Sequence, residues 1–178
     1  MKKAFLLAVI LTIFVIASGT SYALPGLTVD AAVAPTVPMG DFSDAAKPGF
    51  AVAGEAFIPF GIIPGLKIGI RAAYNHFGME ESDEENYTMI EILPSVRFSF
   101  SPPMSPLGIF GQVGVGLYNF NSSIENFDSQ NEVGVNIGAG LTQSIAPLIK
   151  LFVMPQYHLV MTEEENTTYL TVNIGVMF

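Results

Sequence analysis

The ten residues from Tyr169 to Phe178 constrain the fold more than any other stretch. Leu170, Val172, Ile174, Val176 and Phe178 are apolar, and the residues between them are small or polar apart from Met177. A period of two predicts a β-strand with one apolar and one wettable face. The strand finishes on an aromatic residue, as expected of a closed barrel whose last strand must pair with its first. The last strand of a soluble β-sandwich is the competing reading of this segment alone.

The other end of the chain predicts export. Lys2 and Lys3 precede an apolar run, Ala4 to Ile16, and Ser21-Tyr22-Ala23 supplies the small residues of a signal-peptidase site. Residues 1–23 read as a signal peptide cut after Ala23, and residues 24–178 as one barrel domain. A retained membrane helix would need a longer span of about 20 residues. The absence of cysteine excludes a lipid-anchored thiol, disulfides and thiolate metal sites.

Removing the signal takes the formal charge from −9 to −11, with 5 basic against 16 acidic side chains. That sign argues against nucleic acid as a partner, because phosphates recruit Lys and Arg. Half of the residues are hydrophobic, yet no apolar run after the signal is long enough for a membrane helix. A greasy exported chain without such a helix, with 17 glycines and 14 phenylalanines, fits a transmembrane β-barrel.

Period-two alternation recurs eight times: Leu27–Val37, Phe50–Phe60, Leu66–Phe77, Tyr87–Phe100, Leu107–Phe120, Glu132–Gln143, Ile149–Val160 and Tyr169–Phe178. Each is long enough for a tilted strand that crosses a bilayer, which takes about 9–11 residues. The connections alternate too. Those after the second, fourth and sixth segments are short and carry proline, as turns do: residues 62–65, 101–106 and 144–147. The others, residues 38–49, 78–86, 121–131 and 162–166, hold 12 acidic side chains and one base, Lys47. Short turns at one end and polar loops at the other predict periplasmic and extracellular sides, respectively.

A soluble eight-stranded barrel would wet the opposite face. Charge decides between the two. Outside the loops and the signal, every charge lies on the polar alternate face: Asp30, Glu55, Glu91 and Glu132 against Lys67, Arg71, Arg97 and Lys150. A soluble exterior of this area carries many more charges. Eight charges that cancel suit a narrow interior, where an unpaired charge costs several kcal/mol. The expected fold is therefore an all-β, eight-stranded antiparallel up-and-down transmembrane barrel, its lumen crossed by a network of these eight side chains. Position counting names one pair, because the second and third segments meet near Ile63 and place Glu55 opposite Arg71.

With these features the chain resembles the small eight-stranded outer-membrane barrels of the OmpA and OmpX type, over the whole mature chain. The resemblance implies the outer membrane of a Gram-negative-type bacterium. It also implies lipid and the barrel assembly machinery as partners, and a terminal Phe178 read as an assembly signal. Tryptophan, common at the interface in such barrels, is absent. Aromatic belts are expected from Phe60, Phe98, Phe100 and Phe178 near the turns, and from Phe50 and Tyr74 near the loops.

Enzymes exist on this scaffold, and a lipid A deacylase of this kind needs a Ser–His pair on the outer wall. Neither His76 nor His158 has a serine two residues on, and each is expected to sit in a belt or in the lumen. No cofactor or metal site is expected. Glu80, Glu81, Asp83, Glu84 and Glu85 lack the ordered spacing of a calcium loop. The expected function is a non-enzymatic structural or surface-interaction role, with a plugged lumen and acidic loops that offer a surface to an extracellular ligand. The alternative is a narrow conduit for small apolar molecules or ions, for which the glycine-rich inward faces of the fifth and sixth strands would leave space.

Overall fold

Strands of alternating character must bury the wettable face somewhere, and here they do so by closing on themselves. In the computed structural model, residues 26–61, 63–82, 85–123, 129–162 and 165–178 are described; the expected signal peptide, residues 1–23, lies outside them. The elements are β1 Thr28–Met39, α1 Phe42–Ala45, β2 Ala46–Pro59, β3 Leu66–Met79, β4 Asn86–Phe100, β5 Leu107–Ser122, β6 Gln130–Ala146, β7 Ile149–Met161 and β8 Thr167–Met177. Each strand pairs antiparallel with the next, and β8 returns to β1, from Asp30 opposite Met177 to Met39 opposite Thr168. Beyond the end of β8, Val29 and Phe178 exchange both backbone hydrogen bonds, at 3.2 and 2.9 Å. Closure removes every sheet edge, and all backbone donors along the ladders can pair within the wall.

Alternation sorts the side chains as the sequence predicts, with the polar set inside. Val33, Ile70, Ile92, Val113, Val115, Ile137 and Ile174 are exposed on the outer wall, whereas Asp30, Glu55, Arg71, Glu91, Arg97 and Gln156 are buried. Phe50, Phe60, Tyr74, Phe98, Phe100 and Phe178 all lie on the outside. Such a wetting pattern is the inverse of a soluble barrel and matches a hydrocarbon exterior.

The outer wall also carries Pro35, Pro94 and Pro155. The paired register has gaps beside each of them, β1 against β8, β4 against β5 and β7 against β6, while the ladder on the other side continues. Proline has no N–H to give, so each removes one rung on one side only.

Two connections differ from expectation. Residues 38–49, read as one polar loop, are mostly structured: β1 runs to Met39, α1 makes one turn, and β2 begins at Ala46. The reason is Phe42, an apolar residue inside the loop that is buried among lumen aromatics and pulls the turn inward. The sixth strand extends to Ala146 through an irregularity at Ser144/Ala146, which leaves only Pro147 and Leu148 between β6 and β7.

Candidate functional site: the lumen

The register fixes the charged centre. Asp30 on β1 stands opposite Glu55 on β2, and Glu55 stands opposite Arg71 on β3. Glu55 bridges two guanidinium groups. Its Oε1 accepts from Arg71 Nη1, and its Oε2 accepts from Arg97 Nη2 at 2.6 Å. Arg71 Nε also donates to Glu91 Oε1 at 2.6 Å, and Arg97 Nη1 to Asp30 Oδ2 at 2.5 Å. Neutral groups take further donors. Arg97 Nε and Nη2 reach Gln112 Oε1 at 2.9 and 2.8 Å, and Arg71 Nη2 reaches Asn173 Oδ1 at 3.3 Å. The Arg97 guanidinium lies 4.0 Å from the Phe57 ring centroid and 4.9 Å from that of Phe110, so aromatic faces cover it where no carboxylate does. Removing one partner from such a network leaves a buried charge uncompensated.

Five of the eight predicted charges therefore meet: Asp30, Glu55, Arg71, Glu91 and Arg97. The other three correct the expectation of a single balanced network. Lys67 is half-buried, and its Nζ donates to Thr28 Oγ1 at 2.5 Å. Among the described residues, Glu132 and Lys150 form no salt bridge; Glu132 is the third residue of β6 at the loop end, and Lys150 the second of β7 at the turn end. Strand ends reach water, which solvates a charge without a partner.

His158 takes the place of the missing base. Its Nδ1 is 3.2 Å from both Glu91 Oε2 and the Tyr118 hydroxyl, and its Nε2 is 3.2 Å from Thr171 Oγ1. Tyr169 stacks on the imidazole at 4.3 Å and donates its hydroxyl to Glu91 Oε2 at 3.3 Å. An Nδ1-protonated ring donates to the carboxylate, which gives Glu91 a second partner beside Arg71. Parity places His158 on the inward face with Gln156, and the lumen is one of the two places expected for it, although it was not counted among the charges of the network.

Above this layer, toward the loops, the lumen is closed by rings. Phe42 from α1 packs edge-on against Phe77 at 5.2 Å and lies 6.1 and 6.4 Å from Tyr87 and Phe120. Phe77 in turn meets Tyr169 at 5.3 Å. Toward the turns, Phe110, Phe152, Met154 and Met177 form a second apolar cluster. The inward glycines of β5 and β6 do not leave open space. A Cβ on Gly140 would lie 2.5 Å from the Phe110 ring, and one on Gly134 would lie 2.6 Å from the Tyr118 ring. These glycines admit large neighbours into a lumen that small barrels fill with side chains.

His76 lies elsewhere. It faces outward beside Phe50, with ring centroids 5.2 Å apart, and its cross-strand partners are Phe50 and Thr88. The two histidines thus occupy a belt and the lumen. Among the described residues, no group of three or more His, Asp or Glu side chains could hold a metal ion.

No protein-family model and no curated protein sequence matches this chain. Solved structures do. Neisserial surface protein A superposes with a TM-score of 0.69 at 15% identity, covering 85% of this chain and 96% of that one. The chain has the fold of the small eight-stranded outer-membrane β-barrels. The outer membrane enzyme PagL matches with a TM-score of 0.55 at 15% identity, over 85% of this chain and 98% of that one. Ail, the attachment invasion locus protein of Yersinia pestis, matches with a TM-score of 0.52 at 16% identity, over 86% and 99%.

Proposed function

We propose that the protein is an integral outer-membrane barrel of a Gram-negative-type bacterium whose role is structural or one of surface interaction. The observation that carries this reading is the filling of the lumen: aromatic rings under the loops, a network of buried ion pairs at the centre and an apolar cluster toward the turns. What such a barrel offers its surroundings is its outside and its loops. The loops are strongly acidic, so the extracellular ligand they suit is cationic or bridged by cations. Two similar structures belong to proteins named for a surface or for attachment, which agrees with a surface role without specifying a partner. The non-enzymatic reading rests on the separation of the two histidines and on His76 facing Phe50 and Thr88 rather than a serine.

In this reading residues 1–23 direct export, outer-membrane lipid surrounds the wall, and the barrel assembly machinery inserts the chain. Whole-cell proteolysis tests the orientation. Protease added to intact cells cuts, where it cuts at all, between β3 and β4 or between β7 and β8, and leaves the turn at residues 101–106 intact. Cleavage at that turn in intact cells reverses the topology, and recovery of the folded protein in the soluble fraction overturns the membrane assignment.

A further inference from the structure

The three turns at the short-loop end are almost as apolar as the wall they join. None of residues 60–65, 101–106 and 144–148 is charged. Turns that stand in water draw on Gly, Pro, Asn, Asp and Ser. Here Ile63, Met104, Ile145 and Leu148 join the glycine, proline and serine, and all four are exposed. Met104 and Leu148 are the most exposed large apolar residues described, at 104% and 81%. The set continues the lipid-facing wall, whose nearest members, Phe60, Phe100 and Leu107, are half exposed. An apolar surface of this extent, left open, marks a contact with a partner or a membrane.

One of these side chains is displayed against a conformational preference. Ser105 N donates to Pro102 O at 3.2 Å, with Pro103 in the second position of that turn. Met104, in the third, has a φ of 63°, the one positive value among the described non-glycine residues. Proline second and a positive φ third define a type II turn, whose third place suits glycine. Methionine there is strained and yet fully exposed, so its side chain serves something outside the barrel. Chemistry names the layer. Backbone groups without partners are not tolerated in hydrocarbon, which puts the turns among headgroups and not in the bilayer core. Pro64, Pro102, Pro103, Pro106 and Pro147 lessen the N–H groups that need a partner there. The charged residues nearest the turns, Lys67 and Lys150, are each second in their strand and both basic, the sign that anionic headgroups attract.

We propose that the turn end is a membrane-seated rim, in which Ile63, Met104, Ile145 and Leu148 lie in the phospholipid headgroup layer at its boundary with the acyl chains. The rim sets the height of the barrel in the bilayer, and the acidic loops at the other end are left to project. This rests on the outer-membrane barrel reading and adds the depth at which the barrel sits. Its partner is a phospholipid surface. A protein that covers the turns is the competing occupant, and continuity with the lipid-facing wall favours lipid.

The chain has no cysteine, so single cysteines can report depth. Met104→Cys and Leu148→Cys at the turns, and Ser129→Cys at the exposed loop end, are nitroxide-labelled in the full barrel. Each is refolded into vesicles of phosphatidylethanolamine and phosphatidylglycerol. Power-saturation spectroscopy then compares collisions with oxygen, which concentrates in the bilayer, and with a nickel chelate, which stays in water. Both turn labels should favour oxygen, and the Ser129 label should favour the nickel chelate. Each turn is read separately, so Ile63→Cys replaces a variant that does not fold. Turn labels as open to the nickel chelate as the Ser129 label overturn the proposal, and so does shielding that appears only in isolated outer membranes, which assigns the turns to a protein. Flotation with the vesicles and heat-modifiable mobility separate the two readings. A folded, floating barrel with wet turns removes the rim and leaves the membrane barrel standing, whereas failure to float removes both.

Discussion

Glu55 and Arg71 stand directly opposite one another on β2 and β3 and form an ion pair in the lumen, both almost wholly buried. Glu55 also holds Arg97, so among the described residues it is the carboxylate shared by both guanidiniums. Glu55→Gln should cost about 3–5 kcal/mol in urea unfolding, the range for stranding one member of a buried pair. Arg71→Met in the same background should recover part of the loss. Strictly additive losses in that double-mutant cycle would show that the two side chains do not interact.

This pair was legible in the sequence, because a period of two and a short turn fix which residues oppose each other. The inward apolar residues were not. Phe57, Phe110, Phe152 and Met154 are buried in the lumen, yet hydropathy alone assigns such residues to the lipid face; only counting from the nearest charged neighbour places them inside. Glu132 and Lys150 show the reverse limit. Parity puts them on the inner face correctly, but it carries no depth, and depth decides whether water or a counter-charge solvates them. Phe42 escaped because alternation has nothing to say about a loop. One apolar residue among Gly40, Asp41, Ser43 and Asp44 was the available signal.

Phe42 should behave as a core residue although it sits between two strands. Its ring contacts Phe77, Tyr87 and Phe120, and α1 has no side-chain cap to hold it otherwise. Phe42→Ala should destabilise the barrel by about 3 kcal/mol, near the lower end for a buried Phe→Ala change, and should speed proteolysis between β1 and β2. Stability and cleavage equal to wild type would mean that the ring is not a structural cap.

Two glycine substitutions should differ in sign. Gly140 lies under the Phe110 ring, so Gly140→Ala should cost about 1–3 kcal/mol through overpacking. Gly54 has nothing within 4 Å of an added Cβ, and Gly54→Ala should be neutral or stabilising by up to about 1 kcal/mol. Comparable urea midpoints for the two variants would place open space behind β6.

Phe178 exchanges backbone hydrogen bonds with Val29 at the closing seam and points outward. We propose that it is also the residue the assembly machinery reads. Phe178→Asp should lower the amount of heat-modifiable barrel in outer-membrane fractions, with unfolded chain accumulating or being degraded in its place. Unchanged amounts of membrane-embedded protein would remove that role.

Single-channel recording in planar bilayers bears on the filled lumen most directly. In the function proposed above, the rings beneath the loops, the paired charges at the centre and the apolar cluster toward the turns block an aqueous path, so purified, refolded wild-type barrel should insert without steady conductance in molar potassium chloride. A stable ohmic conductance, present in every insertion and reversed in selectivity by Glu55→Gln, would contradict the account and make the protein a conduit.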